Sequence, residues 1–298
     1  MSYHPGRSRQ VPVASGVELR TVWWEPEGPP VGSPWLLVHG LASNARLWDG
    51  VGRRLAAAGR LAVAVDQRAH GLSSKIDGPF DMGTVADDLL HLLDALGWDK
   101  ANLVGQSWGG NVVIEAAVRH PDRVALVVGV DGGAIDLSTR FPDWSAAELA
   151  LAPPRLAGTP LERIEQWLAT SADDWPEEGR QGTLANFEVT PGETATVSPW
   201  LTFERHLSVL RGLWEHDPFE RFAHVSAPLL LIGADDGTGP SDKHEAIDRA
   251  VALAPVARSV WFRPAHHDVH AQKPDEVAEL LLRAADDPAF FSERSADL

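Results

Sequence analysis

Short, uninterrupted runs of apolar residues recur along this chain, and each ends close to a glycine, a histidine or an aspartate. Runs of this kind, in which apolar residues do not alternate with polar ones, are typical of strands buried on both faces of a parallel sheet. They lie at 35–40, 61–66, 101–107, 124–131, 228–235 and 258–262. A further strand, rich in β-branched and aromatic residues, is predicted at 19–24.

Amphipathic helical patterns separate several of these runs, at 47–59, 84–97 and 109–121. Glycine or proline ends each of them, as is common at helix ends. Alternation of strands with helices predicts an α/β fold, in which a mostly parallel central sheet is covered by helices on both faces.

The alternation stops between residues 134 and 215. This segment is rich in proline, tryptophan and acidic residues; a helix is predicted within 159–175 and a hairpin at 187–197. Because it lies between two sheet strands, we interpret it as a mainly helical cap inserted at 134–215 into a core formed by 1–133 and 216–298. We expect the cap to cover the carboxyl edge of the sheet, where open α/β sheets bind ligands.

Composition excludes several function classes. The 298 residues carry a net charge of −16, which opposes binding to nucleic acid. No apolar run reaches the roughly 20 residues of a membrane-spanning helix. The chain has no cysteine, and no apolar block follows the basic residues of its first segment, so we expect a cytoplasmic protein without a secretory signal. The oligomeric state is left open, with a homodimer as one option.

The strongest chemical motif is Gly105-Gln-Ser107-Trp108-Gly109, which joins a predicted strand to a predicted helix. So sharp a turn forces its central residue into a strained conformation with positive φ, and its neighbours must lack side chains. Ser107 would then stand at the amino end of a helix, whose dipole favours a developing negative charge. This context predicts a nucleophilic serine.

Together with three further motifs, this turn resembles the α/β-hydrolase superfamily over nearly the whole chain except the cap. The other motifs are His39-Gly40-Leu41, the segment from Asp66 to Ser73, and the segment from Ala265 to Pro274. The chain departs from the family pattern at Ala69, where a glycine is usual, and at Gln272, which stands near an acidic position. The resemblance implies the α/β-hydrolase fold and a catalytic triad in the order serine, acid, histidine.

The resemblance also implies the remaining members of the triad. The spacing from Gly233 places the acid at Asp236, with Asp235 and Asp131 as alternatives. The last motif places the general base at His267. His266 is the alternative base, and the resemblance gives His270 a packing role.

Two backbone N–H groups, those of Leu41 and Trp108, occupy the family's oxyanion-hole positions. We further predict that the side chains of Leu41, Trp48 and Trp108 line a substrate pocket. The five tryptophans at 144, 167, 175, 200 and 214 indicate either an apolar pocket or the core of the cap. No histidine pair has the spacing of a metal site, so neither a metal nor another cofactor is expected.

These residues predict a serine hydrolase that cleaves a carboxylic ester or lactone of a hydrophobic small molecule. The turn around Ser107 also resembles that of haloalkane dehalogenases and epoxide hydrolases, which favour an aspartate at the nucleophile position. Ser107 excludes their chemistry, because an alkyl intermediate on serine would be a stable ether. Two alternatives stay open: a C–C bond hydrolase of ring-cleavage products, and a non-catalytic ligand-binding protein on the same scaffold.

Overall fold

The computed structural model describes residues 5–14, 16–237, 241–293 and 296–297. Within these residues the chain forms one large sheet, one small sheet and helices on both sides of the large sheet. The strands are β1 Arg7–Ala14, β2 Val17–Trp24, β3 Trp35–Val38, β4 Ala62–Val65, β5 Ala101–Gln106, β6 Val124–Val130, β7 Thr159–Pro160, β8 Phe187–Thr190, β9 Thr196–Pro199, β10 Leu229–Ala234, β11 Ala257–Phe262 and β12 Ala296–Asp297. The α-helices are α1 Asp49–Ala57, α2 Met82–Ala95, α3 Trp108–Arg119, α4 Trp144–Leu151, α5 Leu161–Ser171, α6 Glu177–Leu184, α7 Phe203–Trp214, α8 Asp242–Leu253, α9 Val269–Gln272 and α10 Pro274–Asp286.

The large sheet has the order β1-β2-β4-β3-β5-β6-β10-β11-β12 among the described residues. β1 and β2 pair antiparallel, as do β2 and β4, and every other neighbouring pair is parallel. All six uninterrupted apolar runs contain strands of the parallel part, and the strand predicted at 19–24 lies in β2. The predicted α/β architecture is confirmed.

Strand β1 has no counterpart in the sequence prediction. Its residues, RSRQVPVA, are largely polar and include a proline, and they lie at the edge of the sheet, where β1 pairs only with β2. An edge strand tolerates proline and exposed charge, so it lacks the apolar run that marks the buried strands.

Side chains alternate between the two faces of the sheet and form a core on each side. One core joins β3 and β5 to α2, α3 and α8, and the other joins the opposite faces of the strands to α1 and α10. Both faces are therefore covered, as an apolar parallel sheet requires.

The segment between β6 and β10 contains α4 to α7 and a small sheet of order β7-β9-β8. The hairpin predicted at 187–197 is confirmed by the antiparallel pair β8 and β9, and the helix predicted within 159–175 corresponds to α5. Apolar side chains of this segment pack against Leu47 and Ala271, which follow β3 and β11 respectively. The insertion thus contacts loops at the carboxyl edge of the sheet. No helix of the described chain has the length and apolar character needed to cross a bilayer.

Candidate active site

Ser107 occupies the turn between β5 and α3. Its backbone has φ 52° and ψ −124°, a conformation that non-glycine residues rarely adopt. The Ser107 N–H donates to the Val130 carbonyl at 2.9 Å, which fixes the turn against the end of β6. The strained positive-φ serine predicted from the sequence is present, and its side chain remains partly exposed at the end of the strand.

Two glycines make this turn sterically feasible. A Cβ atom at Gly105 would lie 2.0 Å from the Gly109 carbonyl oxygen, and one at Gly109 would lie 2.4 Å from the His39 carbonyl oxygen. Both contacts are with backbone, which cannot move aside as a flexible side chain can. Side chains at these positions would therefore displace the turn that holds Ser107.

His267 is bonded to a carboxylate that belongs to β6 and not to β10. Its Nδ1 lies 2.5 Å from Oδ2 of Asp131, the residue that directly follows β6. Asp131 has φ 43°, so the chain turns sharply after the strand and directs the carboxylate along the edge of the sheet. The prediction that Asp236 orients the base does not match this structure, because Asp131 occupies the Nδ1 side of the imidazole.

The two aspartates after β10 lie elsewhere. Asp235 is buried and forms ion pairs with His244 and Arg263, each at 3.2 Å, whereas the side chain of Asp236 lies at the exposed end of the strand. The sequence signal for the carboxylate that bonds His267 is an aspartate followed by two glycines at the end of a buried strand. The family spacing counted from Gly233 outweighed that signal.

Asp131 and Ser107 are held side by side. A Cβ atom at Gly132 would lie 2.5 Å from the Cα of Ser107, so the backbone after Asp131 packs directly on the serine turn. From the other side, Nε2 of Gln106 donates to the His267 carbonyl at 3.4 Å. The structure therefore gathers the serine, the imidazole and the carboxylate at one edge of the sheet.

The electrostatics of the Asp131–His267 pair favour opposite charges. Burial acts to lower the pKa of His267, but the hydrogen bond and the negative charge of Asp131 raise that pKa above its ordinary value of 6.5. Burial acts to raise the pKa of Asp131, yet His267 and Lys243 together hold it below its ordinary value. Asp131 therefore stays ionised at neutral pH and stabilises a protonated His267.

The other two histidines of the last motif have different surroundings. His266 is exposed and its ring packs edge-on against Trp175 at 5.0 Å. His270 is fully buried against Trp48, and burial lowers its pKa to about 3. His267 is thus the member of this group that bonds a carboxylate suited to a triad.

The loop that follows β3 is fixed by His39. The His39 ring bonds the Gly40 carbonyl through Nδ1 at 2.7 Å, and its Nε2 accepts from the Gln67 N–H at 3.0 Å. The Gln67 side chain in turn donates to the His39 carbonyl at 2.7 Å. These bonds hold the backbone of Gly40 and Leu41 close to the serine turn; a Cβ atom at Gly40 would lie 3.0 Å from that of Ser107.

The predicted pocket tryptophans are core residues. Trp48 is 0% exposed and packs on His270 with ring centroids 4.2 Å apart. Trp108 is 1% exposed and stacks on His70 at 5.3 Å. The prediction that their indoles line a substrate pocket is wrong, because both aromatic rings fill space beneath the site. Leu41, in the loop, is partly exposed.

A cavity of about 820 Å³ lies between the loop after β3 and the insertion. Ala42 and Ser43 form its wall on the side of the sheet. Its other lining residues come from the end of α4, the α4–β7 loop and the segment from Asn186 to His206. Its aromatic lining comprises Phe187, Trp200 and Phe203. Of the five tryptophans in the insertion, Trp200 lines this cavity, whereas Trp175 is buried.

A second cavity, of about 310 Å³, reaches the Asp131–His267 pair directly. Asp131, Lys243 and His267 line it together with apolar residues of α8 and of the loop after β6. In the described part of the chain, no group of three His, Asp or Glu side chains is arranged to hold a metal ion.

Comparison with known proteins identifies the family of this chain. A family model for the alpha/beta hydrolase fold matches residues 34–274. The chain is 29% identical over 260 residues to esterase YbfF of Escherichia coli (strain K12), which covers 86% of this chain and 94% of that protein. It is 37% identical over 256 residues to 2-(acetamidomethylene)succinate hydrolase of Mesorhizobium japonicum, which covers 84% of this chain and 87% of that protein.

Solved structures show the same fold. The crystal structure of E-2-(acetamidomethylene)succinate hydrolase superposes with a TM-score of 0.78 at 24% sequence identity, covering 95% of this chain and 100% of the other. Since the family model also spans most of the chain, from β3 to α10, this protein belongs to the α/β-hydrolase family.

Proposed function

We propose that this protein is a serine hydrolase that cleaves a carboxylic ester or lactone of a hydrophobic small molecule. The observation that carries the proposal is the 2.5 Å pairing of His267 with Asp131 beside a strained, partly exposed Ser107. A protein that only binds a ligand has no need of a serine in this strained conformation, which costs about 1–3 kcal/mol.

In the proposed reaction, His267 accepts the proton of the Ser107 hydroxyl as the oxygen attacks the substrate carbonyl carbon. The Asp131 carboxylate accepts a hydrogen bond from Nδ1–H, which keeps the proton on Nδ1 and leaves Nε2 free to act as the base. The C–O bond to the alcohol portion then breaks, and His267 returns the proton to the departing oxygen. Water, deprotonated by the same imidazole, releases the acid from the acyl-enzyme.

The negative charge of the tetrahedral intermediate requires fixed donors. We assign them to the backbone N–H groups of Trp108 and Leu41. Trp108 is the first residue of α3, where N–H groups have no acceptor within the helix. Leu41 lies in the turn that His39 and Gln67 hold in place. Removal of one such donor typically lowers turnover by ~10²–10³-fold.

The 820 Å³ cavity supports a hydrophobic substrate. Its aromatic residues provide the apolar area that binds an acyl or alcohol portion. His206 also lines it, and burial lowers the pKa of this histidine to about 4, so that its imidazole adds no charge at neutral pH.

A p-nitrophenyl ester series tests the proposal. Wild-type protein is expected to release p-nitrophenol with saturation kinetics, and Ser107→Ala is expected to lose this activity while keeping its far-ultraviolet circular dichroism spectrum. Equal turnover by the two proteins would contradict the proposal. If neither protein turned over any ester, labelling of Ser107 by a fluorophosphonate would separate a different hydrolase from a non-catalytic binding protein.

One residue of the cavity favours a second candidate substrate. Arg155 lines the cavity with its guanidinium 3.8 Å from the ring centre of Phe203, and no carboxylate in the described ranges forms an ion pair with it. The relative from Mesorhizobium japonicum is named for hydrolysis of 2-(acetamidomethylene)succinate, a compound that carries two carboxylates. An arginine with no carboxylate partner among the described residues, beside an apolar wall, suits such an anion.

Direct comparison of the two substrate classes decides between the candidates. Turnover of 2-(acetamidomethylene)succinate that falls in Arg155→Ala, with neutral esters unaffected, would establish the second candidate. Activity on neutral esters alone would establish the first. Consumption of a dienoate ring-cleavage product, followed by its ultraviolet absorbance, would instead identify a C–C bond hydrolase with the same triad.

A further inference from the structure

The carboxylate of Asp131 has a second charged partner besides His267. The ammonium group of Lys243, on α8, lies 2.8 Å from Oδ1 and 2.9 Å from Oδ2 of Asp131. The same nitrogen donates to the Ala234 carbonyl at 2.8 Å, and the Ala234 N–H donates to Oδ1 at 2.9 Å. Asp131 is therefore held from three directions: by the histidine, by the lysine and by the end of β10.

This arrangement is more than a surface ion pair. The Asp131 side chain is 0% exposed, whereas that of Lys243 is 42% exposed and lines the 310 Å³ cavity that also reaches His267. A buried carboxylate is costly unless its oxygens are satisfied. Here the lysine contacts both carboxylate oxygens, including Oδ2, the oxygen that also bonds the imidazole.

We propose that Lys243 is a positioning residue of this site, whose ammonium group fixes the Asp131 carboxylate in line with His267 and offsets part of its negative charge. The inference rests on the proposed function, in which His267 is the general base. Its consequence is that His267 remains a neutral base to lower pH than Asp131 alone would allow.

The charges around His267 set the direction of this effect. Asp131 after β6 and Asp268 beside the histidine favour the imidazolium form, and Lys243 on α8 opposes it. His270 on α9 is fully buried and its pKa is lowered to about 3, so it is neutral in the working range of pH. His266 is exposed in the same loop. Loss of the Lys243 charge therefore raises the pKa of His267.

The test measures that pKa directly, by nuclear magnetic resonance titration of histidine-labelled protein, with the His267 signal assigned from His267→Gln. In Lys243→Gln and Lys243→Met the titration of His267 is expected to move upward by roughly half a unit to one unit. In Lys243→Arg, which keeps the positive charge, it is expected to stay close to the wild-type value. Lys243→Gln retains a donor for the Asp131 carboxylate, so a folded neutral variant remains available if Lys243→Met fails to fold.

Lys273→Gln is the matched control. Lys273 lies six positions after His267 and donates to the Pro264 carbonyl at 2.9 Å, and Asp131 is not among its contacts. Its removal is expected to leave the His267 titration unchanged. The acidic limb of the kcat/KM profile should move with the pKa of His267. On that limb, kcat/KM of the neutral Lys243 variants is expected to be roughly 3- to 10-fold lower than that of wild type.

An unchanged His267 titration in Lys243→Gln and Lys243→Met would overturn the role of Lys243, even if every variant hydrolysed esters normally. A shifted titration in a protein without hydrolase activity would uphold the contact and contradict only the proposed function. A structural role alone would lower the thermal midpoint without moving the titration.

Discussion

His267 and Asp131 are 136 residues apart in the chain, yet Nδ1 of the imidazole lies 2.5 Å from Oδ2 of the carboxylate. They meet because Asp131 follows β6 and His267 lies in the loop after β11, and only β10 separates these two parallel strands. When Nδ1–H donates its hydrogen bond to the carboxylate, Nε2 is the nitrogen that can accept a proton. The pair thus has the geometry that the proposed mechanism requires of a general base and its carboxylate.

Replacement of the two candidate acids distinguishes their roles. Asp131→Asn should lower kcat for ester hydrolysis by about 10⁴-fold, because the amide cannot hold the histidine in the required tautomer. Asp236→Asn should retain wild-type turnover, since His267 already has its carboxylate. The measurement is steady-state kinetics on one p-nitrophenyl ester, with circular dichroism to verify folding. A large loss of kcat in Asp236→Asn, with little loss in Asp131→Asn, would show that the catalytic acid lies after β10.

The rate should depend on pH through His267. The pKa of this residue is raised above 6.5, and only its neutral form can accept the serine proton. The value of kcat/KM should therefore be constant above that pKa and decline about tenfold per pH unit below it. An acidic limb at or below pH 6 in a stopped-flow or steady-state profile would be inconsistent with the charge of Asp131 acting on this base.

The backbone strain at Ser107 should lower the free energy of unfolding of the wild-type protein. Ser107→Gly removes the Cβ atom that makes φ 52° unfavourable and should raise the free energy of unfolding by about 1 kcal/mol. The same change removes the nucleophile and abolishes turnover. Urea denaturation of wild type, Ser107→Gly and Ser107→Ala gives the comparison, because alanine removes the hydroxyl and keeps the strain. Equal stability of the glycine and alanine variants would argue against stored strain.

The large cavity should determine preference for the apolar portion of the substrate. Trp200→Ala is expected to raise KM roughly tenfold for long-chain esters, which corresponds to about 1.4 kcal/mol of lost apolar contact. Acetate esters should be affected much less. Trp167→Ala provides the control, because that tryptophan is 53% exposed on α5. A uniform change in KM across chain lengths would place the apolar portion outside this cavity.

Trp48 should matter for folding and not for substrate binding. Its side chain is fully buried, so Trp48→Ala is expected to lower the free energy of unfolding by about 3–5 kcal/mol. The conservative Trp48→Phe should fold and keep its KM for neutral esters. A raised KM in Trp48→Phe with unchanged stability would indicate that this tryptophan lines the substrate pocket.

The sequence predicted those features that are encoded locally. Each buried strand has its own apolar run, and the serine turn carries its glycines within five residues, so both could be recognised without tertiary information. The edge strand β1 lacks such a signal, because its polar residues face solvent and its backbone pairs with a neighbouring strand, β2, on one side only.

The carboxylate partner of His267 could not be predicted in the same way. Asp131, Asp235 and Asp236 all follow strands that end at the same edge, and the choice depends on where the loop after β11 places His267. Likewise, a tryptophan next to the serine has the same sequence pattern whether its ring faces a cavity or the core. The positive φ of Asp131 and the burial of Trp48 and Trp108 arise from tertiary packing, which no local pattern records.

The most direct test of the proposed acyl-enzyme is intact-mass spectrometry of protein mixed with a panel of esters and lactones and quenched in acid within milliseconds, followed by peptide mapping. The proposed mechanism predicts an added acyl mass on the peptide that contains Ser107 in wild type and the absence of that mass in Ser107→Ala. Substrate turnover with no covalent adduct, and with the same rate in Ser107→Ala, would contradict it.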